Sequence, residues 1–393
     1  MKIKKAHKNK APRIIFTTLG IIILIPLVVV GSYVGYVVGS YHRIGDQKNL
    51  EIDKGTATVE KVKVSEELSA TSFNVGFGAY SEDYSFFLDR GIEPDGTLNT
   101  GYYGKAISKE DVLNNMTGMS KAARKLDSDF ILFQEVDIDA TRSYHVNQNE
   151  FLKQDFPEYD STMCLNFDSA YLFYPLYDPH GKTKAGLNTF SKYALHDFER
   201  KEYTIATDFS KFFDLDRCFS VQRTTVDNGK ELVIINSHMS AYDEGGKIRN
   251  KQIHELNEYM KQEMDKGNYV VCGGDFNHDL LTNNPMYPQY TKENFPFKDM
   301  VTQLKPDWIS YMFEDDGTTE FDSRLKIIAS DNEPSCRGCD IPWKRGYTFA
   351  TEVDGFIVSD NVNVKKVITT KVDDPDGFTY GDHQPVTITF ELK

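Results

Sequence analysis

The sequence predicts a mixed α/β domain carried behind one membrane-spanning helix. Three observations support this. A 26-residue stretch near the amino end holds no charge, helical periodicity then alternates with short apolar runs, and those runs end repeatedly in Asn, Glu, His or Asp. The first suggests a membrane span, the second a layered α/β class, and the third a polar site where strand ends meet.

Bulk composition narrows the function classes. The 393 residues are 40% apolar and 13% aromatic, enough for a sizeable packed core. The formal charge is -14. Residues 1–43 contribute seven basic and no acidic side chains, so the remainder holds 38 basic against 59 acidic, about -21. That excess provides no broad basic footprint, so no stable nucleic-acid complex is expected. It suits a site that concentrates cations.

The uncharged stretch is residues 14–39, "IIFTTLGIIILIPLVVVGSYVGYVVG". At about 1.5 Å per residue a helix of this length exceeds a hydrocarbon core of roughly 30 Å. Residues 1–13 are basic, with Lys2, Lys4, Lys5, Lys8, Lys10 and Arg13, whereas the far flank mixes Arg43 with Asp46, Glu51 and Asp53. The positive-inside rule therefore predicts a single-pass cell-membrane protein with a cytoplasmic amino terminus and an extracellular domain. A cleaved signal peptide ending at "VVGS" is the rival, but its apolar region would run only about 7 to 15 residues. Residues 40–64 are polar and weakly patterned, which fits a linker. Residues 65–393 show no low-complexity break or fixed-period repeat and form one domain.

Within that domain the elements follow in order. Ser108 and Asp111 have the spacing of a helix start, and Val112, Met116, Met119, Ala123 and Leu126 then recur at three and four. "FILFQEV" follows as a strand whose end carries Gln134, Glu135 and Asp137. The run "SAYLFYPLYDP" (169–179) is read as core or a folded loop, with lipid or base contact as its other use. "RTTVDNGKELVIINSHM" is a hairpin turning at Asn228-Gly229, and its second strand ends in Asn236, Ser237 and His238. Residues 247–266 form a second amphipathic helix through Ile253, Leu256, Met260 and Met264, with Gly267 as its stop. "VVCGGDFNHD" (270–279) is the next strand, ending at Asp275, Asn277, His278 and Asp279. "TEVDGFIVSDNV" and "GDHQPVTITFEL" close the set, with Asp354, Asp382 and His383 at their starts.

Five cysteines make an odd count. Cys336 and Cys339 form a lone C-x-x-C, and zinc sites usually need a second pair. A local disulfide or a chance spacing is the better reading, and export would permit the disulfide.

Taken together, "TSFNVG", "LFQEVD", "INSHM", "GGDFN", "VDGFIVS" and "GDHQPV" resemble the motif series of the endonuclease/exonuclease/phosphatase superfamily, the DNase I-like metal-dependent phosphoesterases. The resemblance spans about residues 70–390. It implies a four-layer αββα sandwich of two mainly antiparallel sheets with the site at one edge. It also implies that Glu135, with Asn74 and Asp382, holds a divalent cation. Mg2+ is expected, with Mn2+ or Ca2+ as substitutes, because hard oxygen donors suit such ions. Asp275 and Asn277 would position and activate water. Asp354 would fix His383, and His383, His238 and Asn277 would face the substrate phosphate. Arg223, in "SVQRTT", matches a position that contributes a cation to that phosphate. One departure is the closing motif, usually Ser-Asp-His and here Gly381-Asp382-His383.

The reaction class implied is hydrolysis of a phosphate ester by metal-assisted attack of water. A phosphodiester of nucleic acid or of a phospholipid head group is the first substrate reading, and a phosphomonoester such as an inositol phosphate the second. The contrasting class is an inactive membrane-tethered binding module, which would be expected to lack at least one of Glu135, Asp275, Asn277 or His383. All four are present.

Overall fold

The computed structural model describes residues 11–212, 214–241, 246–372 and 375–393; most of the basic flank, Lys2 to Lys10, lies outside them. The chain divides into two units, Met1–His42 and Arg43–Lys393. In the first, helix α1 (Ala11–Ser40) contains a 27-residue stretch, Ile14–Ser40, with an 18-residue window of mean hydropathy 2.8, long and apolar enough to cross a membrane.

In the second unit twelve strands form two six-stranded sheets, each built around one parallel pair. The first sheet has the order β11 (Val362–Thr369), β12 (Val386–Leu392), β1 (Leu68–Asn74), β2 (Phe130–Ala140), β4 (Thr183–Ser191), β3 (Asp160–Asp168). The second has β9 (Leu325–Ile328), β10 (Asp354–Ser359), β8 (Tyr269–Asp275), β7 (Glu231–His238), β6 (Cys218–Thr225), β5 (Asp197–Glu202). The parallel pairs are β1–β2 and β7–β8; the other neighbours are antiparallel. Parallel neighbours need a crossover. Helix α2 (Lys109–Leu126) supplies one between β1 and β2, the short α3 (Gln148–Asp155) follows β2, and α4 (Lys247–Asp265) supplies the other crossover between β7 and β8.

The start of α2 and the stop of α4 fall where their sequences predict. The Ser108 hydroxyl accepts the Asp111 N–H at 3.1 Å, satisfying an otherwise orphaned donor. At the end of α4, Gly267 takes φ +78 and its N–H bonds Met264 O while Asn268 N–H bonds Glu263 O, so the last carbonyls are used. The hairpin turns where expected, with Gly229 at φ +82.

Alternation along the strands creates the layers. In β8, Tyr269 and Val271 join the cluster between the sheets with Leu132, Ile234 and Phe356. Val270 and Cys272 point the other way, to Leu256 and Met260 of α4. Strands buried on both faces must read as continuous apolar runs, which is why "YVVC" shows no alternation. Phe73, Ile131 and Phe133 meet Met116 and Met119 of α2 on the outer face of the first sheet. The result is the helix–sheet–sheet–helix sandwich the motifs imply. Gly273 marks where the sheets approach closely, since a Cβ there would fall 2.6 Å from both Leu132 and Phe356 side chains.

Two expectations need correction. Beyond Arg43 the linker is no free stalk: Gln47 pairs with Arg200 of β5 and Asp53 with Ser161 of β3. These are edge strands of the two sheets, so the segment caps open ladders that would otherwise template aggregation. Leu50 and Ile52 pack behind it on Phe198 and Leu187. Second, of the two readings left open for Cys336 and Cys339, the disulfide is not formed; all five cysteines are free and buried. Instead Cys336 pairs with His383 across a β-bridge, and Arg337 N–H donates to Asp382 O at 3.0 Å. The C-x-x-C segment is a wall that holds the closing motif.

Candidate active site

Because strands in a parallel pair end on the same side, the two pairs deliver their carboxyl ends together. Asn74 stands opposite Gln134 in register, and His238 opposite Asp275. Asp275 also stands opposite Asp354 at the start of antiparallel β10. A register shift between Phe133 and Val136 lifts Glu135 out of the ladder, with φ +56. Asn277 likewise takes φ +50. Left-handed backbone at two non-glycine positions beside one cleft is strain held by the surrounding packing.

The side chains meet. Asn74 Nδ2 donates to Asp275 Oδ2 at 3.0 Å and to Glu135 Oε1 at 3.2 Å. Asp275 Oδ1 accepts the Asn277 N–H at 2.9 Å, and Asn277 Nδ2 donates to Met239 O at 3.0 Å. His238 Nε2 lies 3.6 Å from Asp275 Oδ2 and 3.9 Å from Glu135 Oε1. His383 Nε2 lies 3.7 Å from the same Asp275 oxygen, while its Nδ1–H donates to Asp354 Oδ2 at 2.7 Å. Asp382 joins through Gly76, where a Cβ would fall 2.7 Å from Asp382 Oδ1; glycine with φ +46 is the residue that fits. Behind the site Gln134 Nε2 donates to Asn236 Oδ1 at 2.8 Å, and Asn236 Nδ2 to Phe133 O at 3.0 Å, tying the two sheets together.

Electrostatics set the imidazoles apart. Burial works against charge on His383, but the fields of Asp354, Cys336, Asp382 and Asp275 outweigh it and hold the ring well above its ordinary pKa. Burial, Arg217, His383 and Arg142 push His238 well below, so it is neutral. Burial raises Asp275 to about 6 despite the opposing pull of His383, with Asp354 adding to the rise. Asp382 is pushed up to about 7 by burial and Glu135, with His383 and Arg337 pulling the other way. Its Oδ1 is buried without a partner among the described residues. Buried carboxyls that destabilise one another, one with an orphaned oxygen, fit a hard divalent cation. Burial is the main cause raising the Cys336 thiol to about 12, and it raises Cys339 as well, so both thiols are protonated and unreactive.

The residues line a cleft of about 910 Å³ that includes Glu135, His238, Asp275, Asn277, Asp382 and His383. Arg223 is not part of it. Its guanidinium donates to both Glu263 oxygens at 2.9 Å and to Tyr259 Oη at 2.9 Å. Arg223 pairs with Val233, five residues and about 17 Å along β7 from His238. Four arginines do line the cleft, Arg90, Arg142, Arg217 and Arg337. Of these, Arg217 donates from Nη2 to Asp214 at 3.3 Å, while its Nε and Nη1 are buried with no partner among the described residues. Hairpin register could have found it, because Cys218 stands opposite His238. Arg142 also lines the cleft, paired with Asp137 at 2.8 Å and lying 3.9 Å over the Phe77 ring. His278 and Asp279 have structural partners: His278 Nδ1–H donates to Phe276 O, and Asp279 accepts from Leu281, Thr282 and the Thr282 hydroxyl.

No family model and no curated protein matches this chain. Among solved structures it is similar to truncated Caenorhabditis elegans TDP2, at 12% identity over 83% of this chain and 98% of that one, TM-score 0.47. It is similar to an endonuclease/exonuclease/phosphatase from Beutenbergia cavernae DSM 12333, at 13% identity over 83% and 75% of the two chains, TM-score 0.47. It is also similar to the human Nocturnin catalytic domain with bound sulfate, at 13% identity over 84% and 97%, TM-score 0.47.

Proposed function

We propose that this chain is a divalent-metal-dependent phosphoesterase that hydrolyses a phosphodiester by attack of water, tethered to the cell membrane by residues 14–39 with its domain outside. One observation carries the reading: Asp275, raised to about 6, sits between a neutral and a charged imidazole beside the acidic group Glu135 and Asp382. Titratable groups pushed apart in this way divide the acid and base roles.

Asp275 is the base, poised near neutral pH to take a proton from water. Asn277, pinned through its own N–H to Asp275 and through Nδ2–H to Met239, positions that water. The charged His383 donates from Nε2 to a phosphate oxygen, with Asp354 holding the other nitrogen. His238 faces the same phosphate and Asn74 braces Glu135 against Asp275. Glu135, Asp382 and Asn74 would hold the cation, Mg2+ first, with Mn2+ or Ca2+ in its place. When bound it supplies positive charge to phosphate oxygens as the ester bond breaks.

A phosphomonoester is the second reading, favoured by the open Arg217 guanidinium, because a dianionic phosphate has more charge to pair. Purified Arg43–Lys393 should hydrolyse bis(p-nitrophenyl) phosphate with Mg2+ or Mn2+ and stop with EDTA. Asp275→Ala or His383→Ala should lower the rate by about 10³-fold in protein that still unfolds cooperatively. Full activity in either folded variant would remove the mechanism. Protease added to intact cells should digest the domain, and protection would reverse the orientation.

A further inference from the structure

Exposed apolar side chains of the second unit are not scattered. Twelve large hydrophobic residues beyond position 42 are exposed among the described residues, and eight lie within 88–107 and 173–177. Single exposed apolar residues are ordinary, whereas a contiguous set marks a contact surface. The two segments are joined: Tyr102 stacks on Tyr177 at 4.9 Å and Phe87 meets Tyr174 at 5.5 Å. Tyr177 Oη–H donates to Tyr102 O at 2.8 Å, and Lys105 pairs with Asp178 at 3.1 Å. Leu88 and Leu98 of the first segment also line the catalytic cleft. This apolar collar therefore stands at the cleft mouth. The aromatic run 169–179, read from the sequence as core or a folded loop, turns four side chains outward, Phe173, Tyr174, Leu176 and Tyr177, with Leu176 83% exposed and Tyr174 63%.

We propose that the collar seats the domain on a lipid bilayer, so that the cleft receives a phosphate ester carried by a lipid head group; the substrate class rests on the phosphoesterase reading above. Three observations select a bilayer as occupant. Tyrosine and leucine together suit the membrane–water boundary, where an amphipathic ring keeps its hydroxyl wet. Residues 84–107 and 169–184 hold four acidic and four basic side chains, a net charge of zero in a chain of -14, so this face is not repelled by anionic head groups. Only residues 41–46 separate the end of α1 from Gln47, which is paired with β5. That length spans at most about 25 Å, so a chain whose helix crosses a membrane keeps the domain at its surface.

All five hydrophobic clusters lie within Arg43–Lys393, so this unit carries its own core and can be tested without α1. It is to be sedimented with vesicles of equal parts phosphatidylcholine and phosphatidylglycerol, beside Leu176→Asp and the double variant Tyr174→Ser/Tyr177→Ser. None of the three substituted side chains lines the cleft. The parent is expected to sediment with vesicles and each variant to bind about tenfold more weakly. Both variants should keep the parent rate on bis(p-nitrophenyl) phosphate but lose turnover of vesicle phospholipid. A parent that stays in the supernatant, or variants that bind as it does, would overturn the docking surface. So would self-association of the parent that the variants abolish, which would make the collar a contact between copies. Vesicle binding by a protein inert toward the diester would sink the phosphoesterase reading and leave the docking surface standing.

Discussion

Two arginines at opposite ends of one β-hairpin have the same chemistry and opposite surroundings. Arg223 is closed: Glu263 takes it in a two-pronged pair, Glu231 and Tyr259 add contacts, and Lys266 and Asn268 complete the Glu263 shell. Arg217 is open: one nitrogen reaches Asp214, and two others are buried against the cleft without a partner among the described residues. A buried cation with every donor used has no hydrogen bond left for a ligand. One with donors unused is costly to keep unless something else meets them. The difference separates a structural charge pair from a substrate-facing one, and residue type alone says nothing about which is which.

Substitution at the closed end should have the largest effect. Arg223→Ala strands the Glu263 carboxylate and should cost about 3 to 5 kcal/mol of unfolding free energy by chemical denaturation. Below the new melting temperature, KM should stay at the parent value; a large KM change would mean that Arg223 reaches substrate after all. Arg217→Ala should do the reverse, lowering kcat/KM by about tenfold to a hundredfold with little change in melting temperature. A drop in stability with unchanged kinetics would erase the contrast. The smallest effect is seen only in acid. Burial opposes ionisation of Glu263, but hydrogen bonds from Arg223, Lys266 and Asn268 prevail and bring it from 4.5 to about 2. Its folded pKa is depressed, so the unfolded chain binds the extra proton first. Stability from this group is present above about 4.5 and is lost as pH falls toward 2. Glu263→Gln should flatten that part of the acid-unfolding curve and leave the Arg217 end unaffected.

Much of the site was legible because its signals are local. Ser108 with Asp111 announces a helix through a single hydrogen bond, and Gly267 ends another through its left-handed backbone. The polar tips Asn74, Glu135, His238, Asp275, Asp354 and His383 stand out because each interrupts an apolar run. Arg217 stands out from nothing: it precedes a strand in a polar loop, and only pairing of Cys218 with His238 brings it to the cleft. The segment from Arg43 to Val64 looked like a linker because it caps sheet edges through backbone N–H and C=O groups, which every residue carries.

By itself, then, the sequence determined which elements form and which residue types end them, because capping, periodicity and strand burial act over a few neighbouring positions. Tertiary structure alone decided the protonation of His238 against His383, the closed state of Arg223 against the open state of Arg217, and the outward turn of the aromatic run at 173–177. Each of these depends on which distant groups share a low-dielectric space or leave a side chain in water, and that is settled only when the two sheets pack together.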